Sequence, residues 1–154
     1  MLLQNRGCFF SLEPSHVNRL EPGKRTFHTL NPAMLFRGGK PFLIYGTMGG
    51  EGQPQTQTAI VTRVVDHKLS PQDAIEAPRW LYGRSWGVPT NNVKLESRIP
   101  EAVADTLRRQ GHSIEIVEPY AHVMGHAGAI LIDQQTPLHY GASDPRSDGM
   151  VVCH

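Results

Sequence analysis

Residues 33–53 read AMLFRGGKPFLIYGTMGGEGQ and contain the strongest structural signal in the chain. Two apolar runs, Ala33–Phe36 and Pro41–Tyr45, flank Gly38 and Gly39. This glycine pair supplies the positive φ that a tight hairpin turn needs. A second glycine cluster follows the hairpin, and the pattern then becomes helical, with apolar residues on one face at Ile60, Val61, Val64 and Val65. The segment therefore predicts a β-hairpin, a glycine loop and a helix in that order.

The chain beyond this segment mixes short strands with helices. Helix signals are Pro54 in the first turn after the glycine loop, Ser70 as an N-cap before Pro71, and Pro100 at the start of a helix that Gly111 ends. The strand signals lie at Val93–Glu96, Ser113–Val117, Ala129–Ile132 and Pro137–Tyr140. Residues 11–32 and 78–92, the latter with Trp80 and Trp86, are predicted as loops. The order β-β-α-α-β-α-β-β-β indicates an α+β fold with a largely antiparallel sheet.

The composition sets limits on size and function. A length of 154 residues, 39% of them apolar, is enough for one domain spanning 1–154. The net charge is +1 and the basic residues form only isolated pairs, so no nucleic-acid partner is expected. No apolar run approaches the roughly 20 residues of a membrane helix, and the N-terminus lacks a secretory signal, so a cytoplasmic location is the expectation. The two cysteines form no disulfide framework, and Cys8, beside Phe9 and Phe10, is expected to be buried.

The glycine loop from Gly46 to Gln53 is the first candidate for chemistry. It follows a predicted strand and precedes a predicted helix, so its backbone N–H groups could bind a phosphate, a carboxylate or a developing oxyanion. It lacks the Lys-Ser/Thr ending of a phosphate-binding P-loop, and its glycine spacing does not fit a dinucleotide fingerprint. A tight strand-to-helix turn without a ligand is the open alternative.

Two further clusters have alternative interpretations. His122 and His126 have the i, i+4 spacing of two metal ligands on a helix, but Gly125 and Gly128 disfavour that helix and no carboxylate stands at a suitable position. No metal and no cofactor are therefore expected. In residues 141–149, GASDPRSDG, the carboxylates beside an arginine fit either catalysis or a turn locked by an arginine–carboxylate pair, and the second is favoured.

Five motifs in one order carry a family resemblance over essentially the whole chain: Leu2-Leu3-Gln4-Asn5, Pro22-Gly23-Lys24-Arg25 leading to Asn31-Pro32, Gly46-Thr47-Met48-Gly49-Gly50, Glu76-Ala77-Pro78-Arg79, and Gly141-Ala142-Ser143-Asp144-Pro145-Arg146. This series resembles the small subunit of the γ-glutamyltransferases, or glutathione hydrolases. The resemblance implies the four-layer αββα sandwich of the N-terminal nucleophile hydrolases. It also implies that a precursor cleaves itself and exposes a threonine as nucleophile, with its own α-amine as base, a group that titrates near neutral pH.

The resemblance also implies site residues. Gly49 and Gly50 would form the oxyanion hole. His28 and Thr29 align with a Ser-Ser pair that holds the substrate α-carboxylate, and Arg6 and Phe9 align with a glutamine and an aspartate that hold the glutamyl α-amine. A phenylalanine cannot pair with an ammonium group as an aspartate does, so this departure disfavours strict γ-glutamyl specificity. It favours another amide or acyl group, as in the related cephalosporin acylases.

The same alignment places Met1 inside the family's small subunit, a few strands after the catalytic threonine. We therefore expect the chain to be a fragment of a γ-glutamyltransferase-like amidohydrolase or acyltransferase that is inactive without its upstream segment. A non-catalytic binding or structural module derived from that fold is the alternative. If the inner strands of the sandwich are missing, the strands near residues 33–45 and 129–132 would present unpaired edges or apolar faces. A homo-oligomer is therefore expected.

Overall fold

A computed structural model describes residues 5–85 and 90–153, which divide between two compact units, Met1–Asn31 and Pro32–His154. The first unit begins with a 3-10 helix, Asn5–Phe9, and continues as irregular chain, as predicted for residues 11–32. A single bridge joins Ser11 to Arg19 there among the described residues. That residues 1–154 form one domain stays a prediction.

The second unit contains the regular structure. Its helices and strands are β1 (Ala33–Arg37), β2 (Lys40–Met48), α1 (Gln53–Val65), α2 (Pro71–Glu76), β3 (Trp80–Tyr82), β4 (Val93–Glu96), α3 (Glu101–Arg109), β5 (Ile114–Val117), β6 (His126–Ile132) and β7 (His139–Ser143). The predicted hairpin is present as β1 and β2, and Gly38 and Gly39 have φ values of 56° and 77° in its turn. The Ser70 hydroxyl caps α2 by accepting a hydrogen bond from the Asp73 amide, as predicted.

The strands form two sheets. One has the order β1-β2-β6-β7 and is antiparallel throughout. The other has the order β3-β4-β5, in which β4 and β5 are parallel and α3 connects them. The prediction of a loop over 78–92 is wrong at Trp80–Tyr82, because this three-residue strand depends on pairing with β4 and is too short for a periodic signal. Trp86 lies outside the described residues.

Helices α1 and α2 pack on one face of the four-stranded sheet. The core between them includes Leu43, Ile60 and Ile75, whose side chains are fully buried. Alternation along β6 places Ala127 and Ala129 on this face and His126 and Ile130 on the other. The other face is named here the open face, and its Met34, Met48 and Ile130 side chains are exposed.

Two expectations about the surface can be compared with the structure. No helix in residues 5–85 and 90–153 has the length and apolarity needed to cross a membrane. The expectation that Cys8 is buried is wrong: Cys8 and Cys153 are both exposed. Cys8 lies on the surface turn Asn5–Phe9, where the neighbouring Phe9 is itself 37% exposed and provides little cover.

Candidate functional site

The glycine loop has the backbone geometry of a site that excludes side chains. Gly49 and Gly50 have φ values of 148° and 52°, which residues with a Cβ rarely adopt. A Cβ on Gly50 would lie 2.3 Å from the Ser85 carbonyl oxygen, and one on Gly49 would lie 3.3 Å from the Gly125 Cα. Gly50 therefore requires glycine for conformation and for space, and Gly49 requires it for conformation.

Two backbone donors of the loop have no acceptor in the described part of the chain. The Gly52 amide donates to the Gly49 carbonyl at 2.8 Å and closes a one-turn 3-10 helix, Gly50–Gly52, immediately before α1. Neither the Gly49 amide nor the Gly50 amide donates a hydrogen bond to any acceptor in residues 5–85 and 90–153. First-turn amides have no partner within their helix, so they suit an anionic oxygen. The assignment of these glycines to an oxyanion hole stays a prediction.

A buried ion pair stabilises the backbone segment that contacts the glycine loop. A Cβ on Gly125 would lie 2.2 Å from the Met48 carbonyl oxygen, so the backbones of these residues are in close contact. Arg79 Nη1 donates to the Gly125 carbonyl at 3.0 Å, and Arg79 Nη2 pairs with Asp144 Oδ2 at 2.6 Å. Asp144 Oδ2 in turn accepts from the Ala127 amide at 2.7 Å. Arg79 and Asp144 thereby hold the backbone on both sides of His126.

The same ion pair belongs to a larger buried network. Arg146 contacts Glu96 at 2.6 Å and Asp144 at 3.0 Å, and Arg98 contacts Glu96 at 2.6 Å. Burial lowers the pKa of Arg79 to about 10, against the opposing effect of the Asp144 charge. Glu96 and Asp144 are 0% and 2% exposed and are therefore closed to a substrate. This geometry supports the interpretation of residues 141–149 as a turn locked by an arginine–carboxylate pair.

The two histidines do not share a helix. His122 lies in the 3-10 helix His122–Met124 and His126 begins β6, because Gly125 between them has a φ of 75°. Their ring centroids are 4.4 Å apart in an edge arrangement. Burial, and next the charge of His122, lower the pKa of His126. No group of three histidine, cysteine, aspartate or glutamate side chains that could hold a metal occurs in the described parts of the chain.

The residues aligned with the family's substrate-binding positions lie together in Met1–Asn31. Arg6 Nη1 donates to the Thr29 hydroxyl, and the Arg6 guanidinium lies 5.0 Å from the centroid of the Phe9 ring. Phe9 packs edge-on against Phe27 at 5.8 Å. His28 is exposed and lines a cavity with Arg6. Their role in substrate binding stays a prediction.

Sequence reasoning missed several residues around these sites. The contributions of Ser85 and Gly125 to the glycine loop depend on close backbone contacts between distant segments, which leave no local pattern. The basic pair Lys24 and Arg25 was visible in the sequence, and both residues line the same cavity as Arg6. The PGKR motif was the available signal for them.

Comparisons with known proteins agree with one another. The family model described as gamma-glutamyltranspeptidase matches residues 1–153. The chain is 54% identical over 152 residues to the glutathione hydrolase-like YwrD proenzyme of Bacillus subtilis, covering 99% of this chain and 29% of that protein. It is 47% identical over 146 residues to the oxamate amidohydrolase proenzyme of Klebsiella pneumoniae, covering 95% of this chain and 28% of that protein.

Solved structures are also similar to this chain. The crystal structure of cephalosporin acylase from Bacillus halodurans superposes with a TM-score of 0.79 and 39% sequence identity, covering 97% of this chain and 27% of that chain. The chain therefore spans less than a third of the length of these relatives.

Proposed function

The chain belongs to the gamma-glutamyltranspeptidase family, and from this membership we propose that residues 1–154 supply part of the active site of an amidohydrolase or acyltransferase. Its α+β fold, with mostly antiparallel sheets, is that of the N-terminal nucleophile hydrolases among its structural neighbours. The chain covers less than a third of the length of its relatives, so it corresponds to a portion of a larger enzyme.

The proposal rests on the amides of Gly49 and Gly50, which have no acceptor among the residues that the structure describes. In the proposed reaction a threonine hydroxyl, which corresponds to no residue of 1–154, attacks the carbonyl carbon of an amide. The α-amine of that threonine accepts the hydroxyl proton as the Oγ–C bond forms, and the carbonyl oxygen becomes an oxyanion that accepts hydrogen bonds from the two glycine amides. The C–N bond then breaks, the amine leaves with that proton, and water or another acceptor takes the acyl group from the threonine. Loss of one such donor costs about 10²–10³ in rate, because the bond is strongest when the charge has developed. Arg79 and Asp144 keep the loop in place through Gly125.

In this proposal the substrate is an amide whose acyl part is a group other than γ-glutamyl. Arg6 is positively charged and Phe9 is apolar, so neither can form the ion pair that an aspartate makes with the α-ammonium of a glutamyl substrate. Relatives named oxamate amidohydrolase and cephalosporin acylase support a family range wider than glutathione.

The first experiment tests whether residues 1–154 belong to an enzyme. The isolated chain should hydrolyse neither γ-glutamyl anilides nor acyl anilides, because it lacks the proposed nucleophile. A chimera in which residues 1–153 replace the matching 28% of the Klebsiella oxamate amidohydrolase proenzyme should regain amidase activity. Turnover by the isolated chain would sink the proposal. A folded, inactive chimera together with a specific ligand for the isolated chain would instead favour a non-catalytic binding module.

The second experiment tests the glycine amides within the active chimera. Gly50→Ala keeps the backbone N–H, but its Cβ would lie 2.3 Å from the Ser85 carbonyl oxygen, so the amide should be displaced from the oxyanion. We expect kcat to fall by up to about 10²–10³ with a smaller change in KM, since the oxyanion exists only near the transition state. Gly38→Ala is the matched control, because Gly38 has a similar φ of 56° and no atom lies within 4 Å of the position that a Cβ would occupy there. If Gly50→Ala is as active as Gly38→Ala although it is less stable in urea, displacement of the loop does not affect the rate, and the oxyanion role is contradicted.

A further inference from the structure

Residues 122–126, named here the backing segment, pack against the glycine loop. A Cβ on Gly125 would lie 2.2 Å from the Met48 carbonyl oxygen and 3.2 Å from the Gly49 Cα. In the pairing of β2 with β6, His126 lies opposite Met48, which directly precedes Gly49. The His126 ring is therefore carried by the same backbone that determines where the Gly49 amide lies.

Hydrogen bonds hold the backbone carbonyls of the backing segment. The Ser85 hydroxyl donates to the Val123 carbonyl at 2.6 Å, and the Thr47 hydroxyl donates to the His126 carbonyl at 2.9 Å. Arg79 Nη1 donates to the carbonyl just before His126 at 3.0 Å. These hydroxyls and this guanidinium keep their charge state near neutral pH, whereas an imidazole of the backing segment can gain a proton there.

The two imidazoles of the backing segment are packed in a way that suits an uncharged His126. The rings of His122 and His126 lie edge-on with centroids 4.4 Å apart. Nε2 of His126 is buried and has no hydrogen-bond partner in residues 5–85 and 90–153. Protonation places an N–H on both ring nitrogens, so a charged His126 would bury a donor without an acceptor beside a second imidazole.

The charges around His126 do not offset this cost. Asp144 already pairs with two arginines, at 2.6 Å and 3.0 Å. Asp148 is exposed, so solvent screens its charge, and β2 faces the ring with uncharged residues. Burial, and next the charge of His122, lower the pKa of His126, and Arg79 acts in the same direction.

We infer that His126 is a positioning residue for the glycine loop, which keeps the loop amides in place only while its imidazole is uncharged. The inference rests on the proposed function and adds a regulation of that site, namely loss of the oxyanion hole in mild acid. Protonation of His126 drives its ring away from His122 and towards water. Gly125 moves with it, and the Gly49 amide changes direction because the two backbones are in close contact. His126 thus acts through the backbone and needs no contact with the substrate.

The test uses nuclear magnetic resonance on the isotope-labelled chain of 154 residues. Residual dipolar couplings of the Gly49 and Gly50 N–H groups report their direction, and the α1 amides provide the reference. Between about pH 7.5 and about pH 5.5 these two couplings should change with the midpoint measured on the His126 ring itself. His126→Phe keeps an aromatic ring against His122 and cannot be protonated, so both couplings should become independent of pH. His112→Phe is the matched control, because His112 is exposed after α3, and it should leave the change intact.

A second variant keeps the inference falsifiable if His126→Phe does not fold by circular dichroism. His122→Phe removes the charge that helps to lower the pKa of His126, so the midpoints of the His126 ring and of the two glycine couplings should rise together. Couplings that stay constant while the His126 ring is protonated overturn the inference. Couplings that still change in a folded His126→Phe also overturn it. All of this is measured without turnover, so failure here is separate from failure of the chimera to hydrolyse amides.

The active chimera gives an independent readout. Below the pKa values of both the threonine α-amine and His126, kcat should fall about 100-fold per pH unit, because two protons each abolish activity. With His126→Phe the fall should be about 10-fold per pH unit, since the α-amine alone remains. The same steepness in both proteins would contradict a positioning role for His126.

Discussion

Gly38 and Gly50 have nearly the same backbone conformation in different surroundings, with φ values of 56° and 52°. Alanine at either position costs roughly 1–2 kcal/mol of unfolding free energy from conformation alone. At Gly50 the new Cβ would also lie 2.3 Å from the Ser85 carbonyl oxygen, whereas Gly38 has open space. Urea unfolding should therefore show a larger loss for Gly50→Ala than for Gly38→Ala. Equal losses would mean that the contact with Ser85 is easily relieved.

His126 makes stability depend on pH. Burial and the neighbouring His122 lower its pKa, with Arg79 acting in the same direction and Asp144 and Asp148 opposing. A histidine with a lowered folded-state pKa binds its proton more readily when unfolded, so stability is lost as the pH falls below its usual value of about 6.5. Thermal unfolding from about pH 7.5 to about pH 5.5 should show a loss that is smaller in His126→Gln. The same pH dependence in both proteins would contradict this assignment.

Secondary structure elements with local signals were predictable from sequence. The β1–β2 hairpin follows from its glycine pair, and α2 from Ser70 and Pro71. Strand β3 was missed because three residues form a strand only through their partner β4. The division of the strands into two sheets was not predictable either, since strand pairing is set by distant segments. By contrast, Gly125 was a local signal against a helix through His122 and His126, and its φ of 75° agrees with that prediction.

The candidate site likewise contains residues that a local motif identifies and residues that only long-range contacts bring together. Gly49 and Gly50 were identified from one local motif within a family resemblance. The ion pair between Arg79 and Asp144 joins the segment after α2 to the segment after β7, and nothing in either segment alone specifies the other. Such long-range pairs require the three-dimensional structure.

This ion pair predicts how the elements depend on one another. Asp144→Asn removes the partner of Arg79 and Arg146 inside the network, and loss of one member of a buried pair costs about 3–5 kcal/mol. Asp105→Asn is the control, because Asp105 pairs with Arg108 at 2.8 Å on the exposed surface of α3. Exposed pairs contribute below about 1 kcal/mol, so denaturant unfolding should separate the two variants. Similar losses would show that the network adds little to stability.

For the whole molecule, the open face of the four-stranded sheet predicts self-association. Met34, Met48 and Ile130 are each more than 40% exposed on this face, and apolar patches of this kind are usually covered in proteins. Sedimentation velocity should show oligomers that dissociate on dilution. Ile130→Glu should weaken them, whereas Val103→Glu, at a site of similar exposure on α3, should not. A monomer at every concentration, or an equal effect of both variants, would exclude this interface.

The pairing of β2 with β6 at the centre of that sheet has a consequence for synthesis of the chain. Thr47 and His126, which share a hydrogen bond in this pairing, are 79 positions apart. The β1–β2 hairpin can close in about 1–10 μs once it has left the ribosome. At about 5–20 residues per second, β6 follows on the order of 4–16 s later. During that interval the β2 edge that later pairs with β6 is unpaired, and such an edge can pair with a strand of another chain.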